Sequence, residues 1–188
     1  MPRKGLSKEY LVEAAMQYIA AHGYHAFSMH NLAKEIGVKT SSLYNHTEGV
    51  TSLLASVGEK VIEELNGNLQ EAAQGKSGKE ALLAVAMAYR EYAKKQPELY
   101  QMTLLIPEIN NDELTAKSKI LVAGLYHLLD DYRLSKEEQT HFARIFRSSM
   151  HGFVSLEQAG YFQCNYPAKK SYITMVEELF LGLERKGN

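Results

Sequence analysis

Apolar residues recur at three- and four-residue steps along nearly the whole chain, and no stretch alternates apolar with polar as a half-buried strand does. Pro2, Pro97, Pro107 and Pro167 all fall outside the long periodic segments, so no proline interrupts a helix ladder. This pattern restricts the chain to an all-α fold in which each helix buries a stripe against its neighbours. With 188 residues there is room for a small N-terminal domain and a larger helical one.

Helix-stop and helix-start signals divide the pattern. Ser7 caps a helix over 8–21, whose buried stripe is Leu11, Ala14, Ala15, Tyr18 and Ile19, and His22-Gly23 ends it. Ser28 caps a short helix burying Leu32, Ala33 and Ile36, and Gly37 closes it. A third helix over 40–46 follows, with Leu43 as its inward anchor. Beyond it the spacing predicts helices over 50–73, from Ser77 or Gly78 to 95, over 98–105 behind Pro97, over 113–132, over 136–160 behind a Ser135/Glu138 capping box, and over 169–184. Residues 107–112 read as a loop.

Two short helices joined by a tight glycine turn and backed by a longer helix are the build of a helix-turn-helix. Ala33 sits where the two short helices approach, and Gly37-Val38 suits the turn. The outward residues of the third helix, Lys39, Thr40, Ser41, Ser42, Tyr44, Asn45 and His46, are short donors and acceptors with one aromatic hydroxyl. That set suits phosphates and base edges in a major groove. A solvated polar face is the bland alternative, and the glycine turn is what weighs against it. Charge does not help: net charge is −1, and residues 1–54 hold five cations against four carboxylates. Four histidines there, His22, His25, His30 and His46, add charge at lower pH.

Composition excludes other classes. At 45% hydrophobic and 23% charged, the chain matches folded globular proteins rather than disordered ones. No apolar run approaches the roughly 18 residues that span a bilayer, and the polar start lacks a signal-peptide core. A lone cysteine, Cys164, offers neither an internal disulfide nor a metal cluster, so a cytoplasmic location fits. The single Glu138-x-x-His141 lacks the second copy that a di-iron bundle needs. With no catalytic set, P-loop or paired Cys-x-x-Cys, neither an enzyme nor a bound cofactor or metal is expected.

The framework Leu32-Ala33…Gly37-Val38…Leu43-Tyr44-x-His46 resembles the DNA-binding domain of TetR-family repressors over about 7–54. Further on, Tyr89-Arg90-x-Tyr92-Ala93…Pro97-Glu98-Leu99-Tyr100 and Met150-His151-Gly152-Phe153…Leu156-Glu157…Gly160-Tyr161-Phe162 look like a regulatory domain of one branch of that family. The resemblance implies a DNA-binding domain over 1–54 and a ligand-binding and dimerisation domain over 55–188. It implies a ligand-responsive repressor, a homodimer with recognition helices in successive major grooves of a palindromic operator, about 34–36 Å apart. Carried over by position, Lys39, Thr40, Ser41 and Asn45 face bases or nearby phosphates. Ser28, Ser42, Tyr44 and His46 contact or position the DNA backbone, and Arg3 and Lys4 form an arm. Two positions depart from the family: Thr47 replaces a usual hydrophobic residue, and Val50 replaces a usual phosphate-binding lysine. A dimeric small-molecule-binding protein that has lost specific DNA binding is therefore the alternative.

The last two helices are apolar over more than one face, which calls for a second subunit as well as their own core. The small-molecule effector is unidentified. Tyrosines and methionines in the middle of the chain, Met87, Tyr92, Tyr100, Met102, Tyr126 and Met150, are either core or the lining of its cavity. Arg90, Arg147 and His151 orient a polar ligand if they point inward, and are solvated or paired across a dimer if they point outward.

Overall fold

The computed structural model describes residues 6–130 and 132–187, which form ten α-helices and no strand. The chain divides into two compact units: one holds residues through Glu64 together with Gln96–Ser118, and the other holds Leu65–Lys95 and the chain from Lys119 onward.

In the first unit, α1 (Lys8–His22) starts where the Ser7 hydroxyl accepts the Tyr10 N–H at 3.2 Å. It buries Val12 and Met16 as well as the expected stripe. The wider face follows from its position: α1 packs against α2 (Met29–Glu35) and also against α6 (Pro97–Met102). Between α1 and α2, a single 3-10 turn at Tyr24–Ala26 is held by two donors on the Ala26 carbonyl, the Tyr18 hydroxyl at 3.3 Å and the Asn31 amide at 2.9 Å. Ser28 caps α2 by accepting the Asn31 N–H at 3.1 Å. The chain then reverses at Gly37, whose φ of +71° is a conformation L side chains avoid. The Val38 N–H closes this turn on the Ala33 carbonyl at 2.9 Å.

The third helix is shorter than the sequence predicts. α3 covers Thr40–Leu43, and residues 44–46 continue as a turn closed by His46 N–H to Leu43 O at 2.9 Å. Serine, threonine, asparagine and histidine favour helix weakly, and Leu43 alone is buried, so packing holds a single turn. α4 runs Val50–Ala73 as expected.

Three further boundaries need correcting. α6 stops at Met102 rather than 105, because Thr103, Leu104 and Leu105 donate to carbonyls three residues back and tighten the chain. Residues 107–112 are not all loop: Pro107 opens a one-turn helix, α7 (Ile106–Ile109), which buries Ile106 and Ile109 and stops at left-handed Asn110. α8 (Asp112–Leu128) ends four residues before the expected position 132.

The second unit contains α5 (Gly78–Lys95), α9 (Lys136–Gln158) and α10 (Ala168–Gly187), which pack against one another. The Ser135/Glu138 capping box forms in full, fixing the start of α9. Val85, Phe146, Met150, Val154, Tyr172 and Val176 form the core, and the buried Tyr172 hydroxyl donates to Ala86 O at 2.8 Å. Helices α4 and α8 each have residues in both units.

Candidate nucleic-acid interface

α3 presents its polar residues because Leu43, fully buried, fixes which side of the turn faces inward. Lys39, Ser41, Tyr44 and Asn45 are exposed, Tyr44 at 54%, while Thr40, Ser42 and His46 are half-buried. Seven of the ten residues expected at DNA therefore lie on one short segment. Ser28 is half-buried and its hydroxyl oxygen is engaged as the α2 cap, though its O–H remains able to donate. Arg3 and Lys4 lie outside the described residues.

At the departures from the family pattern, the Thr47 hydroxyl donates to Gly49 O at 3.2 Å, fastening the turn that leads into α4. Val50 is exposed in the first turn of α4, with exposed Glu48 just before it. The start of α4 thus presents an apolar side chain and a carboxylate to solvent.

The tyrosines and methionines proposed as ligand lining do not fall in one unit. Tyr100 and Met102 are fully buried in the core of the first unit, where α6 packs on α1. Met87, Tyr92, Tyr126, Met150 and His151 belong to the second unit and are buried or half-buried, and Arg147 is exposed there. Tyr126 donates to the Thr140 hydroxyl at 3.3 Å. His151 pairs with the Ser155 hydroxyl at 3.3 Å, and burial lowers its pKa, disfavouring the charged ring. A cleft of about 380 Å³ lies in the first unit instead, lined by Tyr24, Phe27, Thr51, Leu54, Glu108 and Ile109 among others.

Arg90 resolves inward, but onto protein. It is 3% exposed, donates from Nε to Glu157 Oε2 at 2.8 Å, makes a second bond from Nη2 to Oε1, and lies 5.7 Å from the Tyr172 ring centre. Its charge is already met. Glu157 as that partner was not legible, since 67 residues separate the two and no local pattern links them. Glu138 is engaged in the α9 cap, and His141 lies 3.6 Å from Glu137. Among the described residues no cluster of three or more His, Cys, Asp or Glu is placed to hold a metal, and no helix is long and apolar enough to cross a membrane.

Residues 11–49 match the tetR family of bacterial regulatory proteins, and residues 82–179 match the tetracyclin repressor-like C-terminal domain. An uncharacterized HTH-type transcriptional regulator of Mycobacterium tuberculosis is 32% identical over 182 residues, covering 96% of this chain and 83% of its own. The chain belongs to the TetR family of transcriptional regulators. Its fold is shared by a Rhodococcus protein of unknown function, with TM-score 0.84, 18% identity and coverage of 97% of this chain and 98% of that one. It is shared also by a TetR from Acinetobacter baumannii solved with minocycline, with TM-score 0.68, 15% identity and coverage of 98% and 99%. This TetR-family chain is thus a DNA-binding transcriptional regulator, and the exposed α3 face lies within its matched N-terminal segment.

Proposed function

We propose that this TetR-family regulator is a repressor that binds a palindromic operator as a homodimer and is released by a small molecule. The observation that carries the reading is the exposed set Lys39, Ser41, Tyr44 and Asn45 on a one-turn helix oriented by Leu43 and preceded by the Gly37 turn. Exposed Ile145 and Leu156 on α9 and Leu181 on α10 are apolar side chains available to a dimer interface built on those two helices. The Acinetobacter neighbour was solved with minocycline. Here Met87, Tyr92, Tyr126, Met150 and His151 supply apolar bodies with polar tips suited to a small organic effector. An effector favouring one position of α4 lowers operator affinity only by its differential affinity for the two states, typically about 1–3 kcal/mol.

The test is binding of the purified protein to DNA from just upstream of its own gene, across a salt series. Two protomers on a palindrome support the reading. Binding no tighter than to random DNA sinks it in favour of a dimeric ligand-binding protein of the same fold, which exposed Val50 and Glu48 at the start of α4 would favour. Two substitutions sharpen this. Tyr44→Ala should weaken operator binding at least ten-fold by mobility shift while the dimer persists in sedimentation. Val50→Lys should restore one phosphate contact, steepening the plot of log affinity against log salt by about one unit.

A further inference from the structure

We propose that the first turns of α8 brace α4, with Lys117 as the positioning residue that fixes the helix following the DNA-reading segment. The reading concerns contacts within the first unit. α8 starts rigidly, because the Asn111 side chain accepts the Leu114 N–H at 2.9 Å and Asn110 before it is left-handed. Leu114, fully buried, then lies directly on Gly58 of α4: a Cβ at Gly58 would sit 3.0 Å from both Leu114 methyl carbons. A side chain at Gly58 would force the end of Leu114 to shift.

One turn further along α8, Lys117 donates to the Glu59 carboxylate and lies 3.6 Å from Glu63 and 3.9 Å from Glu113. Glu59 and Glu63 are four residues apart on α4, a spacing at which two carboxylates repel. Lys60 already lies 3.4 Å from Glu63 within α4, and Lys117 from α8 sits against both carboxylates, so its charge ties α8 to α4. The Glu59 hydrogen bond, aided by all three carboxylates, holds the ammonium above its ordinary pKa.

α8 continues from Lys119 into the second unit, where it carries Tyr126, a candidate effector contact. α8 therefore gives a bound effector a second route to α4 besides α4 itself, a consequence that rests on the ligand-responsive reading above. The brace itself does not rest on it.

The full-length protein is compared with Lys117→Arg, Lys117→Met and Lys117→Glu by hydrogen exchange. Methionine keeps the aliphatic stem, so packing alone would leave Lys117→Met like the parent. The expected result is exchange over 50–64 and 112–118 at least ten-fold faster in Lys117→Met, faster again in Lys117→Glu, and unchanged in Lys117→Arg, with α5, α9 and α10 protected throughout. Unchanged exchange in Lys117→Met overturns the brace, as does acceleration spread evenly over all helices. Affinity for the upstream DNA, measured on the same variants, should fall in the same order. If the parent protein itself fails to bind that DNA, the repressor reading fails while the exchange result still decides the brace.

Discussion

Glu157→Ala should lose about 3 kcal/mol of folding stability, the largest effect expected from any single carboxylate in the chain. The reason is the partner left behind. Arg90 is 3% exposed, held between α5, α9 and the Tyr172 ring, and without Glu157 it is left with the half-exposed Glu91 carboxylate 3.7 Å away in place of a bidentate partner. Removing one member of such a pair strands a charge in a medium that solvates it poorly, which is why the loss exceeds the net value of the pair. Glu157 is itself 16% exposed and Lys94 lies 3.9 Å away, so the loss belongs at the lower end of the range seen for buried pairs. The double variant Arg90→Met, Glu157→Leu should recover most of it, because two apolar side chains of similar length fill the volume without charge. Urea denaturation of parent, single and double variants at one protomer concentration measures all three. A single-variant loss under about 1 kcal/mol would mean that the pair is solvated and contributes as a surface ion pair does.

The same pair marks where the sequence stopped being informative. Caps and stops are local, so Ser7, Ser28, the Ser135/Glu138 box and Gly37 announced their helices from the residues alone, and the structure places each as a cap or turn. Leu43 and Ala33 were legible because spacing within one short motif decides what they face. α7 was not legible: a proline in a short polar stretch reads as a loop, and only the burial of Ile106 and Ile109 against the rest of the unit makes it helical. Tertiary packing likewise widened the buried face of α1 through α6, and buried Tyr100 and Met102, which composition left open between core and cavity lining, in the first unit. Arg90 could be read as inward or outward until a partner 67 residues away settled it. What was missed at α1, α7 and Arg90 depended on long-range contacts, whereas the early ends of α3 and α6 have local causes.

The second large effect expected is from Leu43→Ala, which should lose about 3 kcal/mol of stability and abolish operator binding together. Leu43 is fully buried and is the only buried residue of α3. Its truncation removes several methyl and methylene contacts and leaves a cavity that the short Gly37 turn leaves little slack to close. A long helix would survive such a loss through its remaining contacts. α3 has four residues, far below the roughly 12 at which a helix becomes marginal alone in water, so losing its one anchor releases the turn itself. Lys39, Ser41, Tyr44 and Asn45 would then have to be ordered at the moment of binding, at about 1–2 kcal/mol for each backbone residue fixed. Tyr44→Ala provides the contrast, since an exposed side chain should weaken DNA binding without changing the unfolding midpoint. The two variants together separate presentation of the reading surface from contact by it: loss of both stability and binding in Leu43→Ala, and of binding alone in Tyr44→Ala, assigns Leu43 to the first and Tyr44 to the second. Operator affinity retained in a destabilised Leu43→Ala would instead show that α3 is held by contacts other than its buried leucine.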